Sequence, residues 1–292
     1  MKKYDVIIAL KVVSMLAVLI STTFVWYVVF AEGRGDILKV AFLNVGQGDA
    51  IFIEAPNGNT VIIDGGPDRS LLRELSKEVP FYKHSFGVIM VTNPDADHFA
   101  GFIDLLESNY SVGELLEPGT ISKSATYRRF EQTVNERHIP KMLARKGTKI
   151  ILDQKRNIYI DILFPDRDVS SWKTNDGSVV AKLIYKNTAI MLQGDSPSKI
   201  EKYLLSQHDD VKAQILKLGH HGSKTSTTKE YVKAVSPEIA IISAGLNNHY
   251  GFPHKQTMET LVKNNVKPLI TFELGTIEEK TDGHFWQSVF LK

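Results

Sequence analysis

Four short polar stretches carry the residue types from which metal-assisted hydrolysis is built. Asp95-Ala96-Asp97-His98 sets two carboxylates and an imidazole at the start of a helical pattern whose apolar positions include Phe102, Leu105 and Leu106. Asp64-Gly65-Gly66, Gln193-Gly194-Asp195 and Gly219-His220-His221-Gly222-Ser223 each close a short apolar run. Carboxylate oxygens and neutral imidazole nitrogens at such spacing bind a divalent cation. Carboxylates in a first helical turn also answer the helix dipole without any metal, so the 95–98 loop alone is an incomplete signal. The conjunction of several segments, each ending a strand in ligand types, is the stronger one. Asp64 has an ordinary alternative as a turn residue before two glycines. His221 and Ser223 are candidates to meet a phosphate oxygen, and the alternative there is a solvated polar loop. His84, His138, His208 and His284 stand apart from these stretches and are expected to be surface or structural residues.

The elements that must position these residues occur twice. In the first copy, Ala50–Ile53 and Thr60–Ile63 are strands flanking the turn Asn57-Gly58-Asn59, and the second strand runs into Asp64-Gly65-Gly66. Leu71, Leu72 and Leu75 then recur at helical spacing, and Phe86–Val91 is a continuous apolar run suited to a buried strand. In the second copy, Ser178–Tyr185 and Thr188–Leu192 flank Lys186-Asn187 and end in Gly194-Asp195. A helix carrying Ile200, Tyr203 and Leu204 follows, and then a strand over Ala213–Leu218. A duplicated hairpin–helix–strand unit predicts two packed sheets with helices outside, and polar loops converging at the carboxyl edge of the strands.

Taken together, Val45-Gly46-Gln47-Gly48-Asp49-Ala50, Asp64-Gly65-Gly66, Asp95-Ala96-Asp97-His98, Gln193-Gly194-Asp195, Gly219-His220-His221-Gly222-Ser223 and Asn247-Asn248-His249-Tyr250-Gly251 resemble the metallo-β-lactamase-fold hydrolase domain of ComEC-type competence proteins. The resemblance spans nearly all of 38–292, and is to stand-alone members, anchored or secreted. It implies an α/β fold, an αββα four-layer sandwich, with one or two divalent metal ions, zinc or manganese. It also implies phosphodiester hydrolysis, with DNA as the favoured substrate. By the family scheme one metal uses residue 93, Asp95 and a bridging Asp195. The other uses Asp97, His98, Asp195 and His220, with Asp97 and His98 central to catalysis and Asp64 supporting the loop from behind. Two positions depart from the pattern. Asn93 stands where the family has His, and Phe252 where it has another His. The first metal position is therefore weakened, and His249 or His254, close to Phe252, is a candidate to substitute for the missing His if geometry brings it there. Two alternatives follow: a degenerate, non-catalytic domain that binds DNA or an anionic wall polymer, and a metallo-hydrolase of another ester.

Composition narrows the rest. The 292 residues are 43% hydrophobic and 23% charged, globular proportions with a formal net charge of +2. The absence of cysteine excludes disulfides, Cys-ligated zinc, iron–sulfur clusters and thiol nucleophiles. Between Lys123 and Arg156, ten Lys and Arg face only three acids, a local charge of +7 over 34 residues. Such a segment attracts polyanions or anionic lipid, or is simply a solvated face. At the amino terminus, Lys2, Lys3 and Lys11 precede the 20 uncharged residues Val12–Ala31, with Trp26 and Tyr27 toward the distal end. This length suits a bilayer core, and lysines before it keep the amino terminus cytoplasmic. Phe30-Ala31-Glu32 after two valines is a poor cleavage site, which favours an uncleaved anchor over a cleaved signal. The expected organisation is an anchor and linker over 1–35 and one extracytoplasmic domain over 36–292.

Overall fold

A computed structural model describes residues 3–31 and 35–291. The chain divides into two units, Met1–Asp36 and Ile37–Lys292. The first contains helix α1 (Lys3–Ala31). Within it, Val6–Tyr27 has a mean hydropathy of 2.2, long and apolar enough to cross a membrane. Its polar side chains turn inward on their own helix. The hydroxyls of Ser14, Ser21, Thr22 and Thr23 donate to the carbonyls of Lys11, Ala17, Val18 and Leu19. Back-bonding of this kind satisfies a hydroxyl where no water is available. Lys2 and the linker Glu32-Gly33-Arg34 lie outside the described residues.

The second unit packs two sheets face to face. The first sheet has β1 (Leu38–Phe42), β2 (Ala50–Glu54), β3 (Thr60–Gly65), β4 (Ser85–Met90), β5 (Ser111–Glu117) and β6 (Lys141–Leu143). Against β1 lie β14 (Thr276–Thr281) and then β15 (Trp286–Leu291). The second sheet runs from β7 (Lys149–Asp153) through β8 (Ile158–Phe164), β9 (Val180–Tyr185), β10 (Thr188–Leu192), β11 (Ile215–Lys217) and β12 (Ile239–Ile242) to β13 (Lys267–Ile270). Their inner faces share one apolar layer, including Val40, Ile51, Ile63, Ile160, Leu183, Ile190 and Ile215. On the outer face of the first sheet lie α2 (Ser70–Glu78), α3 (Ala96–Glu107) and α4 (Ala125–Glu136). Helices α5 (Ser198–Ser206), α6 (Lys229–Val235) and α7 (Lys255–Lys263) cover the second, and a short α8 (Thr271–Leu274) precedes β14. This is the αββα sandwich expected above.

The repeat is visible in strand directions. In each copy a hairpin, β2–β3 or β9–β10, is antiparallel, and its second strand then pairs parallel with β4 or β11. Strands β3 and β4 therefore end on one side, as do β10, β11 and β12. Two strands come out shorter than their apolar runs. Strand β9 begins at Val180, because the Val179 N–H leaves the sheet to donate to Thr92 O at 2.9 Å. Strand β11 covers only Ile215–Lys217, and Ala213 N–H donates to Val235 O instead.

Helix α3 sits unusually close to the first hairpin because of Gly101. A Cβ there would lie 2.1 Å from Gly65 O and 2.6 Å from Asp68 O, both backbone atoms that cannot swing aside. Gly101→Ala should therefore cost about 1–3 kcal/mol as an overpacked contact. Chemical denaturation reads it, as a lower midpoint at unchanged slope.

Candidate metal centre

The carboxyl ends of the parallel strands deliver the polar loops to one place. Asp64, the penultimate residue of β3, accepts from Thr92 N–H at 2.7 Å and Thr92 Oγ1 at 2.6 Å. Its Oδ2 also lies 2.8 Å from His98 Nδ1. A carboxylate there makes Nδ1 the protonated nitrogen and turns Nε2 into the cluster. His98 is fully buried in the first turn of α3, with Nε2 3.2 Å from Asp195 Oδ1. Asp195 follows β10 and is buried.

His221 enters from the other side. Its Nδ1 lies 3.0 Å from Ser243 O, the residue after β12, and its Nε2 is 3.2 Å from Asp97 Oδ2 and 3.6 Å from Asp195 Oδ1. His220 and His221 both adopt left-handed backbone conformations, with φ of 50° and 55°. Such non-glycine residues cost about 1–3 kcal/mol each and persist only when surroundings enforce them. Here His220 N–H donates to Gly194 O, and Ser223 N–H donates to His220 O. The structure groups His221, not His220, with Asp97 and His98, as ligand-type atoms within 4.8 Å of one another. His220 stands at the rim, its side chain 26% exposed, 3.9 Å from Asp195 Oδ2. Ser223 Oγ lies 2.9 Å from Thr225 Oγ1, which is in turn 3.3 Å from His220 Nδ1.

Asn93 and Asp95 are engaged elsewhere. Asn93 Nδ2 donates to Asn175 Oδ1 at 2.7 Å, and Thr174 Oγ1 donates to Asp95 Oδ2 at 2.9 Å. His254 Nδ1 accepts from Lys224 N–H at 3.1 Å and His249 packs on Tyr250, and among the described residues neither joins a group of ligand-type atoms. The basic segment forms α4, β6 and β7, and much of its charge is matched. Arg129, Lys141, Lys146 and Arg156 pair with Glu107, Glu117 and Glu131, Asp209 and Asp153 respectively.

One residue pair escaped the sequence reading. Asp49 and Lys217 are both buried and joined at 2.8 Å, and Lys217 Nζ also reaches Leu218 O at 3.0 Å. The other oxygen of Asp49 lies 3.4 Å from His221 Nδ1, and Asp49 groups with His98 and Asp195 as a second set of ligand atoms. Gly48 makes this approach possible. At φ +142°, its Cβ would lie 2.3 Å from Asp97 O, to which Asp49 N–H donates at 3.2 Å. The only sequence signal was Asp49's place in the glycine-rich Val45–Ala50 stretch.

The electrostatics call for positive charge. Burial alone would raise Asp49, but Lys217 and His221 hold it below the usual carboxylate range. Asp97 and Asp195 are likewise held low against burial, first by His98. Burial pushes Asp64 and Asp95 up. In return, the carboxylates overcome desolvation to raise His98 well above an ordinary imidazole, and Asp195 and Asp49 raise His221 to about 10. Asp49 Oδ1, Asp195 Oδ1, His98 Nε2 and Asn93 Oδ1 are buried with no hydrogen-bond partner. Buried polar atoms seldom stay unpartnered. Oxygen and imidazole donors converging in this way fit a divalent cation.

Raised imidazoles keep their protons at neutral pH, a stabilising term fully present below about 6.5 and lost as pH rises through about 10 for His221. A cation needs neutral imidazole, so uptake at pH 8 should release about two protons per cation, and affinity should fall on acidification. Calorimetry in buffers of different protonation enthalpy counts those protons.

No family model matches the chain. It is 27% identical to ComE operon protein 3 of Bacillus subtilis over 272 residues, covering 87% of this chain and 34% of that protein. It is 29% identical to Recombination protein 2 of Haemophilus influenzae over 227 residues, covering 76% of this chain and 26% of that protein. The chain thus spans about a third or less of these curated relatives. Among solved structures, CmlA, a diiron beta-hydroxylase from Streptomyces venezuelae, superposes with a TM-score of 0.51 at 10% identity. That match covers 87% of this chain and 54% of CmlA, and it speaks to the fold alone.

Proposed function

Because the globular unit of this chain is a ComEC-type metallo-β-lactamase-fold domain, we propose that it is a metal-dependent phosphodiesterase acting on DNA outside the cytoplasm. The observation that carries the reading is the convergence of buried carboxylate oxygens and an imidazole nitrogen, all within 4.8 Å of one another, on Asp49, His98 and Asp195. Asp97, His98, Asp195 and His221 would hold the cation, with Asp49 behind them. A bound zinc or manganese ion would supply Lewis acidity toward a phosphoryl oxygen and lower the pKa of a water.

The chain's own groups do the arranging. Asp64 and Ser243 O accept from the Nδ1–H of His98 and His221, so that both Nε2 atoms face inward. Lys217 neutralises one oxygen of Asp49 and leaves the other toward the cluster. His220 and Ser223, linked through Thr225, hydrogen-bond the substrate phosphate at the rim in this reading. Asn93 Nδ2 and Asp95 Oδ2 are tied to the 174–175 turn, and the remaining Asn93 Oδ1 is a neutral, weak ligand, which favours a single cation.

The test is hydrolysis by the full chain in detergent. Bis(p-nitrophenyl) phosphate, single- and double-stranded oligonucleotides, poly(glycerol phosphate), a β-lactam and a thioester are offered with manganese, zinc or chelator. Metal-dependent cleavage of oligonucleotides supports the reading. Salt-sensitive binding of them without turnover favours the degenerate polyanion binder, and turnover of a β-lactam or thioester alone favours the third alternative. Location has its own test. The chain has no cysteine, so one cysteine introduced on the exposed Lys123 reports sidedness by itself. Labelling of whole cells by an impermeant maleimide supports an external domain, and labelling only after lysis contradicts it.

A further inference from the structure

The 246–254 loop holds four ring-bearing residues, His249, Tyr250, Phe252 and His254, and they form a ladder rather than a scatter. His249 and Tyr250 are exposed, and their ring centroids are 3.8 Å apart. Tyr250 and Phe252 stack at 5.3 Å with only 15° between their planes. Phe252 then contacts the rings of His220 at 5.4 Å and of His221 at 6.0 Å. The ladder runs from solvent to the buried cluster in two ring steps beyond Tyr250.

The loop is fixed in that shape. Asn248 Nδ2 donates to Gly245 O at 2.9 Å and to Phe252 O at 2.7 Å, while Phe252 N–H donates to Asn248 Oδ1 at 2.9 Å. Gln47 Oε1 accepts from Gly245 N–H and ties the loop to the 43–49 loop that carries Asp49. Tyr250, 53% exposed, thus faces water from a loop whose backbone is fixed on both sides of it, and its ring rests on His249 and Phe252. Phe252 offers no ligand atom. A held aromatic face beside a phosphate-binding centre has a specific use, since nucleobases stack on such faces without regard to sequence.

We propose that the Tyr250–Phe252 stack is a nucleobase subsite that holds the base next to the phosphate presented to Asp97, His98, Asp195 and His221. The proposal rests on the reading of nucleic acid as substrate. An exposed Lys224, whose N–H bonds His254, adds a cation on the same side for the flanking phosphates. A polymer without rings, such as poly(glycerol phosphate), gains nothing from this ladder.

The experiment compares Tyr250→Ala and Tyr250→Phe with the parent, as full chains in detergent with manganese, at fixed salt. The probes are a dye-labelled phosphorothioate oligo-deoxythymidylate, which resists cleavage, and an abasic strand with the same backbone. Tyr250→Ala should raise Kd for the base-bearing strand about tenfold, the typical stacking contribution of one base, and leave the abasic strand unchanged. Tyr250→Phe, which keeps the ring, should stay within about twofold of the parent. Equal weakening of both strands, or no weakening of either, overturns the subsite. A parent that binds both strands alike, with Tyr250→Ala matching it, overturns the subsite and leaves the DNA reading standing. A parent that binds neither removes both.

Discussion

Replacing Asp195 by Asn should remove phosphodiester hydrolysis while leaving the chain folded. Asp195 is the carboxylate shared by the two inward imidazoles, 3.2 Å from His98 Nε2 and 3.6 Å from His221 Nε2. The amide keeps the shape and loses the charge that draws a cation into the cluster. Lewis-acid stabilisation amounts to several kcal/mol, so kcat/KM should fall by about 10^3-fold or more. Metal affinity should fall with it, and circular dichroism should not change. Loss of turnover with full metal binding would assign Asp195 to the substrate instead.

The second large effect is on stability. Lys217→Met leaves Asp49 buried, ionised and without its cation. Removing one partner of a buried pair costs about 3–5 kcal/mol. For a domain of this size that is a fall in Tm of about 10 °C, measured on the metal-free chain. Adding Asp49→Leu removes the stranded charge as well, and should return much of the lost stability without restoring activity. If Lys217→Met melts with the parent, the ion pair is not what holds the Val45–Ala50 loop against β11.

How far the sequence could be read depended on how local each cause was. The hairpins β2–β3 and β9–β10 were legible, because apolar runs and turn residues lie side by side in the chain. Asp64, Asp97, His98 and Asp195 were legible as strand-end or helix-start residues. Strands β14 and β15 were not. Strand β14 contains Glu278 and Glu279, both buried: Glu278 pairs with Lys280 and the distant Lys39, and Glu279 accepts from Ser288. The choice between His220 and His221 was hidden in two consecutive left-handed residues, which no side-chain pattern announces. Asp49 and Lys217 are 168 residues apart, so their pairing is a property of the fold alone. The basic segment was legible as a local excess of charge, but not the pairing of Arg129 and Lys146 with Glu107 and Asp209, which lie outside it.

The most direct test of the metal centre is elemental analysis of the purified full chain, after incubation with zinc and with manganese, beside Asp195→Asn. The account predicts about one bound cation per parent chain, held by a donor set typical of such ions, and its loss in the variant. No metal in either protein, or the same content in both, would contradict it.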